Sequence, residues 1–212
     1  MIDLLIATAN RAKVREFREM LGDSGINWSE IPADTSADTF DVEETGKTFR
    51  ANACLKASAY AKHFNRWALA DDSGLEVDAL DNAPGVYSAR WATMQNASDS
   101  GEKDADNNRL LLKQLESVPD EKRGARFVCV LALSNPAGQI VLTARDSVSG
   151  RIIRAPRGGG GFGYDPLFLV ESSGKTTAEL SPSEKHAISH RGKALVAMKQ
   201  LMRECGLIEQ TV

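Results

Sequence analysis

The sequence predicts an α/β protein built on a mixed β-sheet with flanking helices. Three observations predict it. Short apolar runs of strand character alternate with helical patterns along the chain. The turn Asn135-Pro136-Ala137-Gly138 joins two such runs, which makes a hairpin inside an otherwise alternating pattern. Residues 126–133 are almost continuously apolar, as a strand covered on both faces must be. The chain has 212 residues, 42% hydrophobic and 26% charged, enough for a sizeable core in one domain over 1–212 or in two small lobes.

Each element has its own signal. Residues 2–7 are a short apolar run and read as a buried strand. Thr8 and Asn10 suit the cap of the helix over 14–21, which Gly22 closes. Residues 27–44 are acidic and rich in turn formers. A helix over 45–64 packs through Ala51, Leu55, Ala59 and Ala61. Residues 68–71 read as a strand end and 74–80 as a strand or extended segment. Pro84-Gly85 and many polar residues mark 83–100 as loop. The helix over 104–117 is amphipathic, with Leu110, Leu111 and Leu115 inward. Residues 139–144 return as the hairpin partner, and 167–170 form a further short strand. Ser181-Pro182 opens a helical turn, with Ser as cap and Pro in the first position. The last helix, over 190–205, carries a core stripe of Leu195, Met198, Met202 and Cys205.

Composition excludes several classes. A net charge of −3 gives no broad basic face, so nucleic acid is not an expected partner. Cys54, Cys129 and Cys205 are far apart and odd in number, which argues against a disulfide framework or a zinc site and for a reducing compartment. The N-terminal residues lack a basic region and a signal-length apolar run, and no stretch approaches bilayer length. A cytoplasmic protein without a membrane partner is expected.

Four motifs can carry chemistry. Thr8-x-Asn10-x-x-Lys13 lies between a strand and a helix, where backbone N–H groups and an ammonium can hold phosphate. Glu43-Glu44-Thr45-Gly46 leads into Asn52-x-x-x-Lys56. Asn52 and Lys56 share one helix face, Lys56 can reach a phosphate, and Glu43 or Glu44 can offer oxygen to a hard cation. Ala70-Asp71-Asp72-Ser73-Gly74-Leu75 puts adjacent carboxylates after an apolar run, which is costly unless they are used. There Asp72 can bind Mg²⁺ and take a proton from water, and Ser73 can hold a phosphate.

The fourth motif is Gly158 to Pro166, with Lys185, His190 and Arg191 following. Its glycines allow close backbone approach. Phe162 and Tyr164 offer flat faces, Asp165 a fixed acceptor, and Lys185, His190 and Arg191 a set of donors. Flat faces with in-plane partners suit a nucleobase. Each motif alone is an ordinary turn or capped helix. Together they describe a Mg-dependent nucleoside triphosphate site.

Seven ordered segments resemble the inosine triphosphate pyrophosphatase family, with its RdgB-like dITP/XTP pyrophosphatases. They are Thr8-Ala9-Asn10-Arg11-Ala12-Lys13, Glu43 to Gly46, Asn52 to Lys56, Ala70 to Leu75, Pro84 to Arg90, Gly161 to Pro166, and Ser189-His190-Arg191, and they span nearly the whole chain. The resemblance implies that Thr8, Ala9, Asn10, Arg11, Ala12 and Lys13 grip the phosphates, aided by Lys56 and Ser73. It implies Glu43 and Asp72 as Mg²⁺ ligands, with Asp72 also the catalytic proton acceptor. It assigns the base to Phe162, Gly163, Tyr164, Asp165, Lys185, His190 and Arg191. It further implies an elongated sheet with two lobes and a central active-site cleft, a homodimer, and cleavage between the α and β phosphates. One departure is Val148, which stands where close relatives often carry Trp.

Selectivity has a physical account. Deamination replaces the 6-amino donor of adenine with a 6-oxo acceptor. Donors from Lys185, His190 and Arg191 favour the acceptor and are left unpaired against adenine, a difference of roughly 2–5 kcal/mol. Two other readings are a pyrophosphatase for modified pyrimidines or methylated bases, as in Maf-like proteins, and a non-catalytic nucleotide-binding regulator. The paired acids Glu43 and Asp72 speak against the regulator.

Overall fold

Leu4, Leu5 and Ile6 are all buried, so β1 (Leu4–Ile6) lies inside a sheet and not at its edge. Two parallel partners flank it. β2 (Trp28–Glu30) sets Trp28 opposite Leu4, and β3 (Trp67–Val77) sets Trp67 opposite the same residue. The computed structural model describes residues 2–22, 26–32, 40, 42–98 and 100–209. The turn-rich residues 33–39 and 41 of the acidic segment lie outside these. The remaining strands among the described residues are β4 (Gly124–Ser134), β5 (Ile140–Ile152), β6 (Phe168–Val170) and β7 (Lys175–Thr176). The sheet has seven strands in the order β2-β1-β3-β4-β5-β6-β7. β5–β6 and β6–β7 are antiparallel, so the sheet is mixed, as the alternation with one hairpin predicts.

The helices are α1 (Arg11–Leu21), α2 (Phe49–Phe64), α3 (Trp91–Met94), α4 (Lys103–Gln114), α5 (Pro182–Ile188) and α6 (His190–Glu204). Their starts follow local chemistry. Asn10 caps α1, Thr48 Oγ1 accepts from Ala51 N at 3.1 Å to cap α2, and Ser181 with Glu184 forms a capping box on α5. No helix among the described residues is long and apolar enough to cross a membrane.

The chain divides into two compact units interleaved in sequence. The first draws on residues 1–72, 129–146 and 191–212, the second on 73–128 and 147–190. The first unit's core joins Leu4, Ile6, Phe17, Leu69, Leu131 and Met198. The second's joins Leu75, Leu111, Phe127, Val148, Tyr164 and Phe168.

Several expectations change. On α2 Leu55 is exposed and the packed residues are Phe49, Ala53, Ala57, Tyr60 and Ala61, and Cys205 lies exposed past the end of α6, outside the core stripe. The stretch 67–77 is one unbroken strand, not a strand end and a separate segment, because the doublet Asp71-Asp72 is buried in line with its apolar neighbours. Residues 83–100 are not loop throughout. They hold a 3-10 turn over Gly85–Arg90 and then α3. The segment is pinned by hydrogen bonds: Ser88 Oγ accepts from Leu75 N of β3 at 2.9 Å and donates to Gly85 O at 2.6 Å, and Asn107 Oδ1 of α4 accepts from Ala92 N at 2.8 Å. Gly74 is required by the same contact, since a Cβ there would meet Ser88 Oγ at 2.4 Å. β2 and β7 were not anticipated; three half-buried residues and two residues give almost no periodic signal.

Candidate functional site

Adjacent residues on a strand project to opposite faces of the sheet. β3 uses this at Asp71 and Asp72: in the first unit Asp71 meets α1 and α6, and Asp72 meets α2. Asp71 is 1% exposed. It accepts from Lys13 Nζ, from Arg191 Nε at 3.1 Å and from the Cys129 thiol at 3.0 Å. Arg191 Nη1 also donates to Glu16 of α1. Burial pushes the Asp71 carboxyl up, but the Arg191 guanidinium and the Lys13 ammonium outweigh it and hold the group well below the ordinary carboxylate range.

Asp72 is 5% exposed. Its Oδ1 accepts from Lys56 Nζ at 3.1 Å. Its Oδ2 is buried without a hydrogen-bond partner among the described residues. Burial therefore raises the Asp72 carboxyl, and Lys56 offsets this only in part. At the ammonium the balance is reversed: burial opposes the charge on Lys56, but Asp72 and Glu44 together outweigh it. The upward direction at Asp72 agrees with its geometry, since only one of its two oxygens is bonded.

The acidic motif resolves into two different residues. Glu43 is exposed, while Glu44 is partly buried and pairs with Lys56. The loop carrying Glu44 is clipped to α2 by Gly46 N, which donates to Asn52 Oδ1 at 2.7 Å, one turn before Lys56. A Cβ at position 46 would lie 2.5 Å from that oxygen, so glycine is needed there. At the start of α1, Asn10 Oδ1 accepts from Ala12 N at 2.9 Å and Lys13 N at 3.2 Å, and Thr8 Oγ1 accepts from Asn10 N at 3.3 Å. Ala9, Asn10 and Arg11 are exposed; Thr8 and Ala12 are partly covered.

The second unit holds the glycine loop. Gly161 adopts φ +74, and a Cβ there would collide with Asp165 Oδ2 at 2.0 Å. Asp165 was expected as an acceptor for a ligand. Instead its Oδ2 takes Phe162 N at 2.8 Å and Lys185 Nζ at 2.7 Å, and its Oδ1 takes Thr177 Oγ1 at 2.8 Å. It organises the loop. Tyr164 was expected to offer a flat face. Its ring is core, and its hydroxyl donates to Ser88 O at 2.9 Å, with burial raising its pKa. The flat face that remains is Phe162, partly exposed, with Lys185 Nζ 5.2 Å from its ring centroid. His190 stacks on Phe127 at 5.0 Å. Ser73, next to Asp72 on β3, is partly buried and opens the second unit. Arg191 was expected with the base-reading donors; its guanidinium lies on Asp71 and Glu16 in the first unit.

The structure thus brings together Lys13, Lys56, Asp72 and Arg191 in the first unit, with Asp71, Glu16, Glu44 and Asn52. In the second it brings together Phe162, Asp165 and Lys185. Two further residues hold that loop: Asp104 Oδ2 accepts from Gly163 N at 2.7 Å, and Asn108 Nδ2 donates to Gly163 O at 2.9 Å. Asp104 and Asn108 escaped the sequence reading, although a doublet of helix-averse asparagines, Asn107-Asn108, in an amphipathic helix was their signal.

The Ham1 family model matches residues 4–201, a span that includes all of these residues. The chain belongs to the Ham1 family. Among its relatives, the dITP/XTP pyrophosphatase of Exiguobacterium sibiricum is 51% identical over 193 residues, 91% of this chain and 92% of that protein. The dITP/XTP pyrophosphatase of Geobacter sulfurreducens is 48% identical, over 94% of this chain and 96% of that protein. Among solved structures, a HAM1 protein from Coxiella burnetii superposes with a TM-score of 0.81 at 42% identity, covering 96% of this Ham1 chain and all 100% of the other.

Proposed function

We propose that this Ham1 chain is a Mg-dependent nucleoside triphosphate pyrophosphatase. Its substrates are ITP, dITP and XTP, its products the monophosphate and pyrophosphate, and its role the removal of deaminated purines from the nucleotide pool. The observation that carries the reading is Asp72, a buried carboxylate with one oxygen on Lys56 and the other without a hydrogen bond. The two dITP/XTP pyrophosphatases above, about half identical to this chain, support the substrate class.

The residues divide the work. Lys13 and Lys56 neutralise the phosphates, with Thr8 to Ala12 and Ser73 lining the chain's phosphate contacts. Asp72 takes the proton of a water that attacks the α-phosphorus. The new O–P bond forms as the bond to the bridging oxygen breaks, and pyrophosphate leaves with that electron pair. Phe162 and Gly163 meet the base, and Lys185 and His190 donate to its 6-oxo group. Arg191 is anchored on Asp71 and Glu16 and holds those acids beside Lys13 in the first unit.

The donor set fits a magnesium ion. Among the described residues no group of three or more His, Cys, Asp or Glu side chains could hold a metal alone. Mg²⁺ characteristically uses one or two carboxylates together with substrate phosphates and water. Asp72 Oδ2 is the orphaned oxygen, and Glu43 or Glu44 supplies the second carboxylate. When bound, the ion supplies charge neutralisation on the phosphoryl oxygens. Burial separates the two glutamates. Glu44→Gln is expected to raise the Mg²⁺ concentration for half-maximal activity by about tenfold or more, on the scale of one charged interaction. Glu43→Gln should change it less than twofold. Mg²⁺ titrations of both variants decide it, and the reverse order returns the ligand to Glu43.

The test of the reading is a pyrophosphate-release screen over ITP, dITP, XTP, ATP, GTP, dUTP and methylated nucleotides, with Mg²⁺ and with chelator. Pyrophosphate released far faster from the oxo-purine substrates than from ATP, and none under chelation, is expected. Orthophosphate as product, or a preference for dUTP or methylated bases, overturns it. The proposal includes a cytoplasmic homodimer, which sedimentation equilibrium checks.

A further inference from the structure

The two peptide groups of Gly163, one before and one after its Cα, are both held by one helix. Asp104 and Asn108 are four residues apart on α4, so they share a face. Asp104 Oδ2 accepts from Gly163 N at 2.7 Å, and Asn108 Nδ2 donates to Gly163 O at 2.9 Å. Gly163 has φ +61, a conformation that few other residues adopt, and it sits between Phe162 and Tyr164. α4 is itself fixed. Asn107 Nδ2 donates to Ser88 O at 3.2 Å, the carbonyl that also receives the Tyr164 hydroxyl at 2.9 Å. Leu111 anchors the same helix in the core. One helix therefore holds both peptide groups that flank the Gly163 Cα, directly after Phe162. Asp165 then ties Phe162 N to Lys185.

We propose that Asp104 and Asn108 are positioning residues for base discrimination: they fix the two peptide groups of Gly163 and through them set Phe162 and Lys185 in the geometry that distinguishes a 6-oxo from a 6-amino purine. The proposal rests on the pyrophosphatase reading for the identity of the ligand. Its physics is independent of that reading. A loop free to shift by an ångström loses the alignment that in-plane hydrogen bonds require. Lys13, Lys56 and Asp72 belong to the other unit, so turnover of a bound substrate should change little.

The test uses the full chain with Asp104→Ala, Asn108→Ala, the double variant, and Asp104→Asn, whose amide oxygen still accepts from Gly163 N. In the double variant the ratio of kcat/KM for ITP over ATP should fall about tenfold, the size of two ordinary hydrogen bonds. The fall should lie mainly in KM for ITP, with kcat within threefold or so of wild type. Asp104→Asn should restore most of the ratio relative to Asp104→Ala. Amide exchange at Gly163 should accelerate in Asp104→Ala and not in Asp104→Asn, a readout that needs no substrate. Faster exchange with an unchanged ratio, or equal losses on ITP and ATP accompanied by a lower Tm, overturns the positioning role. A wild-type enzyme without oxo-purine preference overturns the pyrophosphatase reading instead. In that case the exchange data and the double variant's ratio for the preferred base still judge the clamp.

Discussion

Asp72→Asn is expected to reduce kcat on ITP by about 10²–10⁴-fold, the usual worth of a positioned general base. The same change should leave Tm unchanged or slightly higher. The amide has nearly the volume of the carboxylate, and its oxygen can still accept from Lys56. Burial raises the Asp72 carboxyl in the folded protein. A raised carboxyl gives its greatest stability below its unfolded pKa and loses it as pH rises through the folded value, so at neutral pH ionised Asp72 opposes folding. The variant has no such penalty. The wild-type acid limb of kcat/KM should accordingly lie above the ordinary aspartate value of about 3.9, and the residual activity of the variant should lack that limb. Turnover near wild type at saturating Mg²⁺ would sink the assignment. So would a large fall in Tm, because Asp72 would then be a structural ion-pair partner.

What the sequence made legible follows from how far each signal reaches. Strand and helix types were readable wherever an apolar run or a 3.6-residue stripe was long enough, as in β4 and α6; α2 lacks a clear stripe, and its packed face was misread, since Leu55 is exposed. Asn10 and Ser181, read as caps, do cap α1 and α5 within three residues, whereas α2 starts after Thr48 and not at Thr45. The motifs Thr8 to Lys13, Asp71-Asp72 and Gly161 to Pro166 were also local. The partners that give them meaning were not. Asp71 meets Arg191 across 120 positions, and Glu16 meets Arg191 across 175. No periodicity reports a contact of that separation. Local reading also misjudged saturation. Asp165 looked like an acceptor for a ligand because its type and turn setting fit, but Thr177, Phe162 N and Lys185 already use its oxygens. Tyr164 looked like a face because an aromatic beside glycines is usually exposed, while Leu75 and Phe168 cover it as core. Glu43 and Glu44 are indistinguishable by type, and only burial separates them.

Asp71→Ala is the change expected to hurt stability most, by about 3–5 kcal/mol, because it leaves a buried cation without its counter-charge. Arg191 is 1% exposed and would lose Asp71 while keeping Glu16, and the Cys129 thiol and Lys13 would lose this acceptor. The pH dependence has a definite sign. The folded carboxyl lies below its unfolded value, so its contribution is present above the unfolded pKa and is lost as pH falls toward the folded one. Denaturant midpoints of wild type should therefore decline below about pH 4, the unfolded aspartate range, and the variant should lack that part of the decline. Activity separates Asp71 from the base-reading loop. Lys13 serves phosphates, which every nucleotide shares, so kcat/KM for ITP, XTP and ATP should fall by the same factor. Asp71→Asn, which keeps an acceptor for Lys13 but not the charge, should lie between wild type and Asp71→Ala in both readouts. A loss confined to ITP and XTP would show that Asp71 acts through Arg191 on the base, and unchanged denaturant midpoints would show that Arg191 finds sufficient compensation in Glu16.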